Sequence, residues 1–252
     1  MFWYDVGMAG FPPHDLQETF LEADGAQFHT SFLQSWRQRA DGLTAVIMHG
    51  AGQADSLRHA GLAKVFADSG ISVISLDFVG HGKTGGKVSD NSLALRLAHT
   101  RAAIQHWTQP TTPLILCGFS MSGHVVLRLL PVMGERVRSI GLFCPATYAA
   151  KAEDVFFGPA FTNIIRAPSS WQTSLGLRDA KSFAGRAIVI VGSHDTVIPW
   201  EVIATMTGAL KHKSQEVRLE VLGGVTHKLA AWLSAHQTFS EHVVAYLAEG
   251  AL

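Results

Sequence analysis

Two periodicities alternate along this chain: short runs of continuous or every-other apolar residues, and longer stretches in which apolar residues recur every three or four positions. Residues 16–21 and 27–36 read as two strands about the turn Asp24-Gly25. In the second, Phe28, Thr30 and Phe32 alternate with His29, Ser31 and Leu33, the pattern of a half-exposed strand at a sheet edge. Residues 44–49, 71–78, 113–117, 137–144 and 186–193 are apolar nearly throughout, as strands covered on both faces are. Residues 216–222 alternate. Between these runs, residues 56–69, 91–108, 124–130, 200–210 and 228–249 follow helical spacing. The second helix carries Leu93, Leu97, Ile104 and Trp107 on one face, and the last carries Leu229, Trp232, Leu233, His236, Phe239, Val243 and Leu247. Punctuation agrees: Gly70 suits a C-cap, Asp90 or Ser92 an N-cap and Pro199 a first turn, while Pro131 predicts an end or a kink. Residues 1–15, with Phe11-Pro12-Pro13, suit an extended arm.

Strands that alternate with amphipathic helices predict an α/β domain with an open, mostly parallel sheet and helices on both faces. Right-handed crossovers then line the strand C-terminal ends along one edge, where ligands bind. The periodicity fades over residues 147–185, which hold Phe156, Phe157, Phe161 and Trp171. This divides the chain into a core, residues 1–146 and 186–252, and an insertion. A weakly patterned insertion in a compact domain is usually functional.

Composition narrows the classes of partner. The 20 basic and 20 acidic residues cancel, leaving no field to attract nucleic acid or an anionic membrane. No apolar run approaches the ~20 residues of a membrane span. The N-terminus has no basic region followed by a long apolar one, unlike a secretory signal. Cys117 and Cys144 both lie in strand-like runs and read as free buried thiols. Together these predict a soluble cytoplasmic protein. His and Asp are plentiful, but no paired metal-ligand spacing occurs, so neither a metal nor a cofactor is expected.

The chemistry gathers at strand ends. Ser120, in Cys117-Gly118-Phe119-Ser120-Met121-Ser122-Gly123, stands at a strand-to-helix turn among small residues, the setting of a nucleophile elbow. The helix that starts there leaves the Met121 N–H without a helical acceptor and free to face an anion. The pattern G-x-S-x-G is imperfect, because Ser122 stands where Gly is expected and Gly follows at 123. His49-Gly50-Ala51-Gly52, Asp195 and His227 follow other strands, and the order nucleophile, acid, histidine separates this arrangement from the other serine triads.

With these motifs in place the chain resembles the α/β-hydrolase family over nearly its whole length. His49-Gly50-Ala51-Gly52 is similar to the family's oxyanion loop, residues 77–82 to its D-x-x-G-x-G turn, residues 192–199 to its acid loop and residues 224–227 to its histidine loop. The resemblance is greatest to small esterases, monoacylglycerol-lipase-like enzymes and thioesterases with a short cap. It implies an eight-stranded, mostly parallel sheet, with residues 147–185 as the cap. It implies Ser120 as nucleophile, His227 as general base and acid, and Asp195 as the residue that orients His227. Met121 and Ala51 would supply the oxyanion N–H groups, with Gly52 as the alternative to Ala51. Phe156, Phe157, Phe161 and Trp171 would line an apolar pocket or simply hold the cap to the sheet. His49 and His81 would pack under the loops, His124 would lie in the core, and Asp77 would shape its turn. His194 is too close to Asp195 in sequence to bond it and reach Ser120 as well. The activity implied is cleavage of a small or carrier-bound carboxylic ester or thioester. Acyl transfer or cyclisation, C–C bond cleavage on the same triad, and silent ligand binding remain alternatives.

Overall fold

The computed structural model describes residues 14–249. The arm expected over residues 1–15 lies outside them but for its last two residues, and Asp15 already belongs to a strand.

Eight strands form one sheet among the described residues: β1 (Asp15–Ala23), β2 (Ala26–Gln34), β3 (Thr44–Met48), β4 (Ser72–Asp77), β5 (Leu114–Phe119), β6 (Val137–Phe143), β7 (Arg186–Gly192) and β8 (Glu216–Leu222). Their order is β1-β2-β4-β3-β5-β6-β7-β8, with β2 antiparallel to both neighbours and every other pair parallel. The sheet edge expected at residues 27–36 is a correction. β2 is an inner strand, because the Asp24-Gly25 turn folds β1 back along its outer side.

The period of two in each buried strand divides the core. Val46 and Met48 of β3, with Leu114 and Leu116 of β5, face one apolar layer. Ala45, Ile47, Ile115 and Cys117 face the other. The first layer is closed by α2 (Leu93–Trp107), α3 (Met121–Met133), α5 (Leu175–Ala180) and α6 (Trp200–Leu210). The second is closed by α1 (Ala60–Asp68), α7 (Leu229–Ala235) and α8 (Gln237–Glu249). Strands β3 and β5 are neighbours whose connections leave in opposite directions, so a crevice opens between their carboxyl ends. The loops after these two strands carry the oxyanion motif and the elbow.

Three helices depart from the pattern. Residues 56–59 form a 3₁₀ turn capped by Asp55 before α1 begins. Helix α3 continues past Pro131 to Met133, so the proline falls in its last turn and neither ends nor breaks it. The single helix expected over residues 228–249 is two. The His236 ring accepts the role of a cap by donating from Nδ1 to the Trp232 carbonyl at 2.7 Å and stacking on the Trp232 ring. The Ser240 hydroxyl takes the Leu233 carbonyl at 3.0 Å. With those carbonyls satisfied locally, the helix restarts in a new direction and both apolar segments reach the sheet.

Candidate active site

The elbow is a strained corner held from both sides. Ser120 adopts φ 49° and ψ −114°, a region that costs a non-glycine residue about 1–3 kcal/mol. Its N–H donates to the Phe143 carbonyl at 2.9 Å, and its own carbonyl accepts from Gly123 and Ala146, each at 2.9 Å. The two flanking glycines answer close approaches. A Cβ on Gly118 would lie 2.4 Å from the Ser122 carbonyl oxygen, and one on Gly123 would lie 2.5 Å from Pro145 Cβ. Glycine is therefore needed one residue later than the motif states. Ser122 is fully buried, and its hydroxyl donates to the His49 carbonyl at 2.5 Å. The departure from the motif thus becomes a tie between the elbow and the loop after β3.

The residues expected to work with Ser120 converge on it. His227 Nε2 lies 2.9 Å from Ser120 Oγ, and His227 Nδ1 lies 2.8 Å from Asp195 Oδ2. A carboxylate only accepts, so Nδ1 carries the proton and the Nε2 lone pair faces the hydroxyl. Asp195 Oδ1 is held by the N–H groups of Val197 at 2.8 Å and Ile198 at 3.1 Å. Burial raises the Asp195 pKa, but the bonds from His227 and those two N–H groups outweigh it, and the net shift is downward. The two loops are stitched together: Ser193 N–H donates to Leu222 and His194 N–H to Val225, both at 2.9 Å. The His194 side chain is exposed and makes no bond to Asp195.

On the other side of Ser120 the loop after β3 comes close. A Cβ on Gly50 would lie 3.2 Å from Ser120 Cβ. The N–H groups of Ala51 and Met121 have no acceptor among the described residues. Beneath the loop, His49 Nδ1 donates to the Gly50 carbonyl at 2.7 Å while its Nε2 accepts from Phe78 N–H at 3.1 Å. His81 Nδ1 donates to the Ala54 carbonyl at 2.9 Å. Burial, then the nearby Arg96 cation, holds both histidines below their ordinary pKa and therefore neutral. Asp77 shapes its turn, accepting from Ser56 N–H at 2.8 Å and Lys83 N–H at 2.9 Å. His124 lies in the core, with Nδ1 3.2 Å from Thr147 Oγ1.

The four aromatic candidates separate. Phe157 and Phe161 are buried with Met121, Leu93 and Ala152, next to the elbow. Phe156 is a correction: it is 62% exposed and lines a different depression of about 470 Å³ with Asp24, Ser89 and Asp90, which contains none of Ser120, Asp195 and His227. Trp171 leans on the layer closed by α3 and α6. The segment that holds them, with α4 (Pro159–Arg166) and α5, is tied to α3 by ions. Arg128 donates from Nε and Nη2 to Glu153 at 2.9 and 3.2 Å, and from Nη1 to Asp179.

Two residues that the sequence does not assign to the site lie beside it. Cys144 follows β6 with its thiol, the Asp195 carboxylate and a His227 nitrogen all within 4.8 Å of one another. Burial pushes that thiol up to about 12, so it stays protonated beside the carboxylate. Arg96 of α2 is fully buried against the loop after β3. A cation on the helical face of Leu93, Ala103 and Ile104 was the available signal, since Arg is almost never fully buried.

A profile of the family described as serine aminopeptidase, S33, matches residues 42–176. No curated protein matches the sequence at a significant level. Among solved structures the chain is similar to a CIB-like hydrolase of Thermoplasma acidophilum, at 18% identity and TM-score 0.68, over 95% of this chain and 100% of that one. It is similar to the thioesterase domain of the curacin biosynthetic pathway, at 18% identity and TM-score 0.66, over 92% and 100%. It is also similar to Est1E of Butyrivibrio proteoclasticus, solved with ferulic acid bound, at 14% identity and TM-score 0.67, over 91% and 99%. At these identities the likeness is one of fold.

Proposed function

This chain belongs to the serine aminopeptidase S33 family of α/β hydrolases, and from that premise we propose that it cleaves a carboxylic ester or thioester through an acyl-enzyme on Ser120. One observation carries the reading: Ser120 Oγ, His227 and Asp195 form a continuous hydrogen-bonded row, 2.9 and 2.8 Å long, that starts at a strained elbow. A free hydroxyl is a weak nucleophile, so its proton must leave as it attacks. His227 Nε2 is set to take that proton and to return it to the departing alcohol or thiol. Asp195 fixes the tautomer and stabilises the imidazolium that forms. The unengaged N–H groups of Ala51 and Met121 face the developing oxyanion, where the loss of one donor typically costs about 3–4 kcal/mol of barrier. Water then attacks the acyl-enzyme with His227 as base.

In this reading residues 147–185 are a cap, and Phe157 and Phe161 bound the acyl side of the pocket. The fold neighbour that is a thioesterase domain supports an ester or thioester as the substrate class. Among the described residues no helix is long and apolar enough to cross a membrane. The two free buried thiols suit a reducing cytoplasm.

A fluorophosphonate probe tests the proposal, with the adduct mapped by peptide mass in the wild type, Ser120→Ala and His227→Ala. An adduct on Ser120 that forms far more slowly without His227 supports it, and product analysis with an added alcohol separates hydrolysis from acyl transfer. A folded wild type that takes no label sinks the hydrolase mechanism.

A further inference from the structure

Arg96 is the most unusual side chain outside the row just described. It is 0% exposed, yet no carboxylate lies within ion-pair distance of it among the described residues. Its guanidinium lies 4.5 Å from the Phe78 ring centroid and 5.4 Å from that of Phe157. Nη1 donates to the carbonyls of Gly50 at 3.1 Å and His49 at 3.4 Å, and Nη2 donates to His81 Nε2 at 3.1 Å. Nε has no acceptor. Burial lowers its pKa to about 9, which leaves it cationic at neutral pH. A buried cation without a counter-ion is costly, and an apolar residue of similar volume would fill the space at lower cost. Packing alone does not account for it.

Its partners do. The C=O and N–H of a trans peptide point in opposite directions. With the Gly50 carbonyl drawn inward to Arg96 and His49 Nδ1, the Ala51 N–H of the same peptide unit points outward, on the side where Gly50 abuts Ser120. The His49 carbonyl is drawn inward by Arg96 as well and is shared with Ser122. We propose that Arg96 is a positioning residue for the oxyanion hole: it locks the Gly50–Ala51 peptide with its N–H toward the reacting acyl oxygen, and its uncompensated charge strengthens the field there. The inference rests on the hydrolase reading above and adds a residue and a role to it. Arg96 touches no substrate. It acts through the loop, and a preorganised dipole in a dry site is worth far more than the same dipole in water.

Stability and activity should therefore part company. Arg96→Met and Arg96→Lys are compared with the wild type in thermal melts and in kcat and KM for a p-nitrophenyl ester. Each protein is also given the matching thionoester, whose sulfur is a poorer hydrogen-bond acceptor and gains less from the oxyanion donors. The wild type is assayed first. Arg96→Met is expected to melt at or above the wild type, to lose about 10²–10³-fold in kcat as oxyanion-donor variants do, and to keep KM within about threefold. The preference for the oxo over the thiono substrate should shrink at least tenfold, with Arg96→Lys between the two. A folded Arg96→Met with kcat within threefold of the wild type overturns the inference. So does a loss of kcat with the oxo-to-thiono ratio unchanged, which marks general damage to the site. Should Arg96→Met not fold, the ratio in Arg96→Lys decides by the same criterion. A wild type that neither labels nor turns over esters overturns the hydrolase reading and this inference together, and that result precedes any variant.

Discussion

On one side of Ser120, Asp195 and His227 come from loops whose neighbours Ser193, His194 and Val197 meet solvent, and they act through their own side chains. On the other side, Ala51 and Met121 offer only backbone N–H groups, and the side chains that hold the Ala51 loop are interior ones: Arg96, His49 and Ser122 are 0% exposed and His81 is 4% exposed. The first side is built by direct contact of titratable groups. The second is built by burying polar groups until a peptide unit has one orientation left. A change on the first side should remove chemistry and leave the fold. A change on the second should disturb fold and chemistry together where a buried group loses its partner, as at Ser122. Arg96 is the exception, because a buried charge without a counter-ion is itself costly.

The largest effect is expected for Ser120→Ala and His227→Ala, each lowering kcat by about 10⁴–10⁶-fold with unchanged melting temperature, as residues of one catalytic unit do. Steady-state ester hydrolysis beside a thermal melt checks this, and a residual rate above a hundredth of the wild type would remove these residues from the reaction. Asp195→Asn follows at about 10⁴-fold, because an amide can hold His227 in the wrong tautomer. An equal rate at every pH would mean that Asp195 only caps its loop.

Across the divide, Ser122→Ala should lose stability as well as rate. It removes one of two donors from the His49 carbonyl, at a cost of about 0.5–1.5 kcal/mol, with a several-fold drop in kcat. Chemical denaturation of that variant shows whether the two losses travel together, and a rate loss without a stability loss would break the contrast. Asp77 gives the smallest and most selective effect. Burial raises its pKa, but the His29 ring 3.4 Å away and the N–H bonds from Ser56 and Lys83 win and hold it well below the ordinary carboxylate range. A carboxylate depressed on folding stabilises the native state above its unfolded pKa of about 4 and loses that contribution as pH falls through the folded value. The gap in melting temperature between wild type and Asp77→Asn should therefore be widest near neutrality and close below about pH 4. A gap that stays constant with pH would show that the turn depends on the shape of Asp77 and not on its charge.

The same contrast explains what could be read before the fold was known. Continuous apolar runs locate the inner strands within a residue or two, since a strand buried on both faces has no polar positions to blur it. Ser120, Asp195 and His227 were legible because each is a chemically distinctive residue at a strand end. Arg96 was not, because its partners are two carbonyls, which every residue has, and a histidine of a separate loop. Phe156 and Phe157 are adjacent and identical in type, yet one packs beside Met121 and the other faces solvent. Only the path of the insertion decides between them. The break at His236 depended on a side chain capping its own helix, which apolar spacing does not register. Ser122 looked like a defect in the motif because the close approach to Pro145 falls at Gly123, a contact between segments distant from the elbow in sequence.

Helix α3 begins at the elbow and, within its length, presents Arg128 to Glu153 and Asp179. One rigid rod thus indexes the insertion to the nucleophile through two pins, and between them Trp171 and α5 still pack on the layer that α3 helps to close. Residues 154–170 are the part of the insertion that lies outside both layers of the sheet. In the hydrolase reading proposed above, replacing that part alone would alter what stands beside Ser120 while both pins return to the same arginine, so what is accepted would change without rebuilding how it reacts.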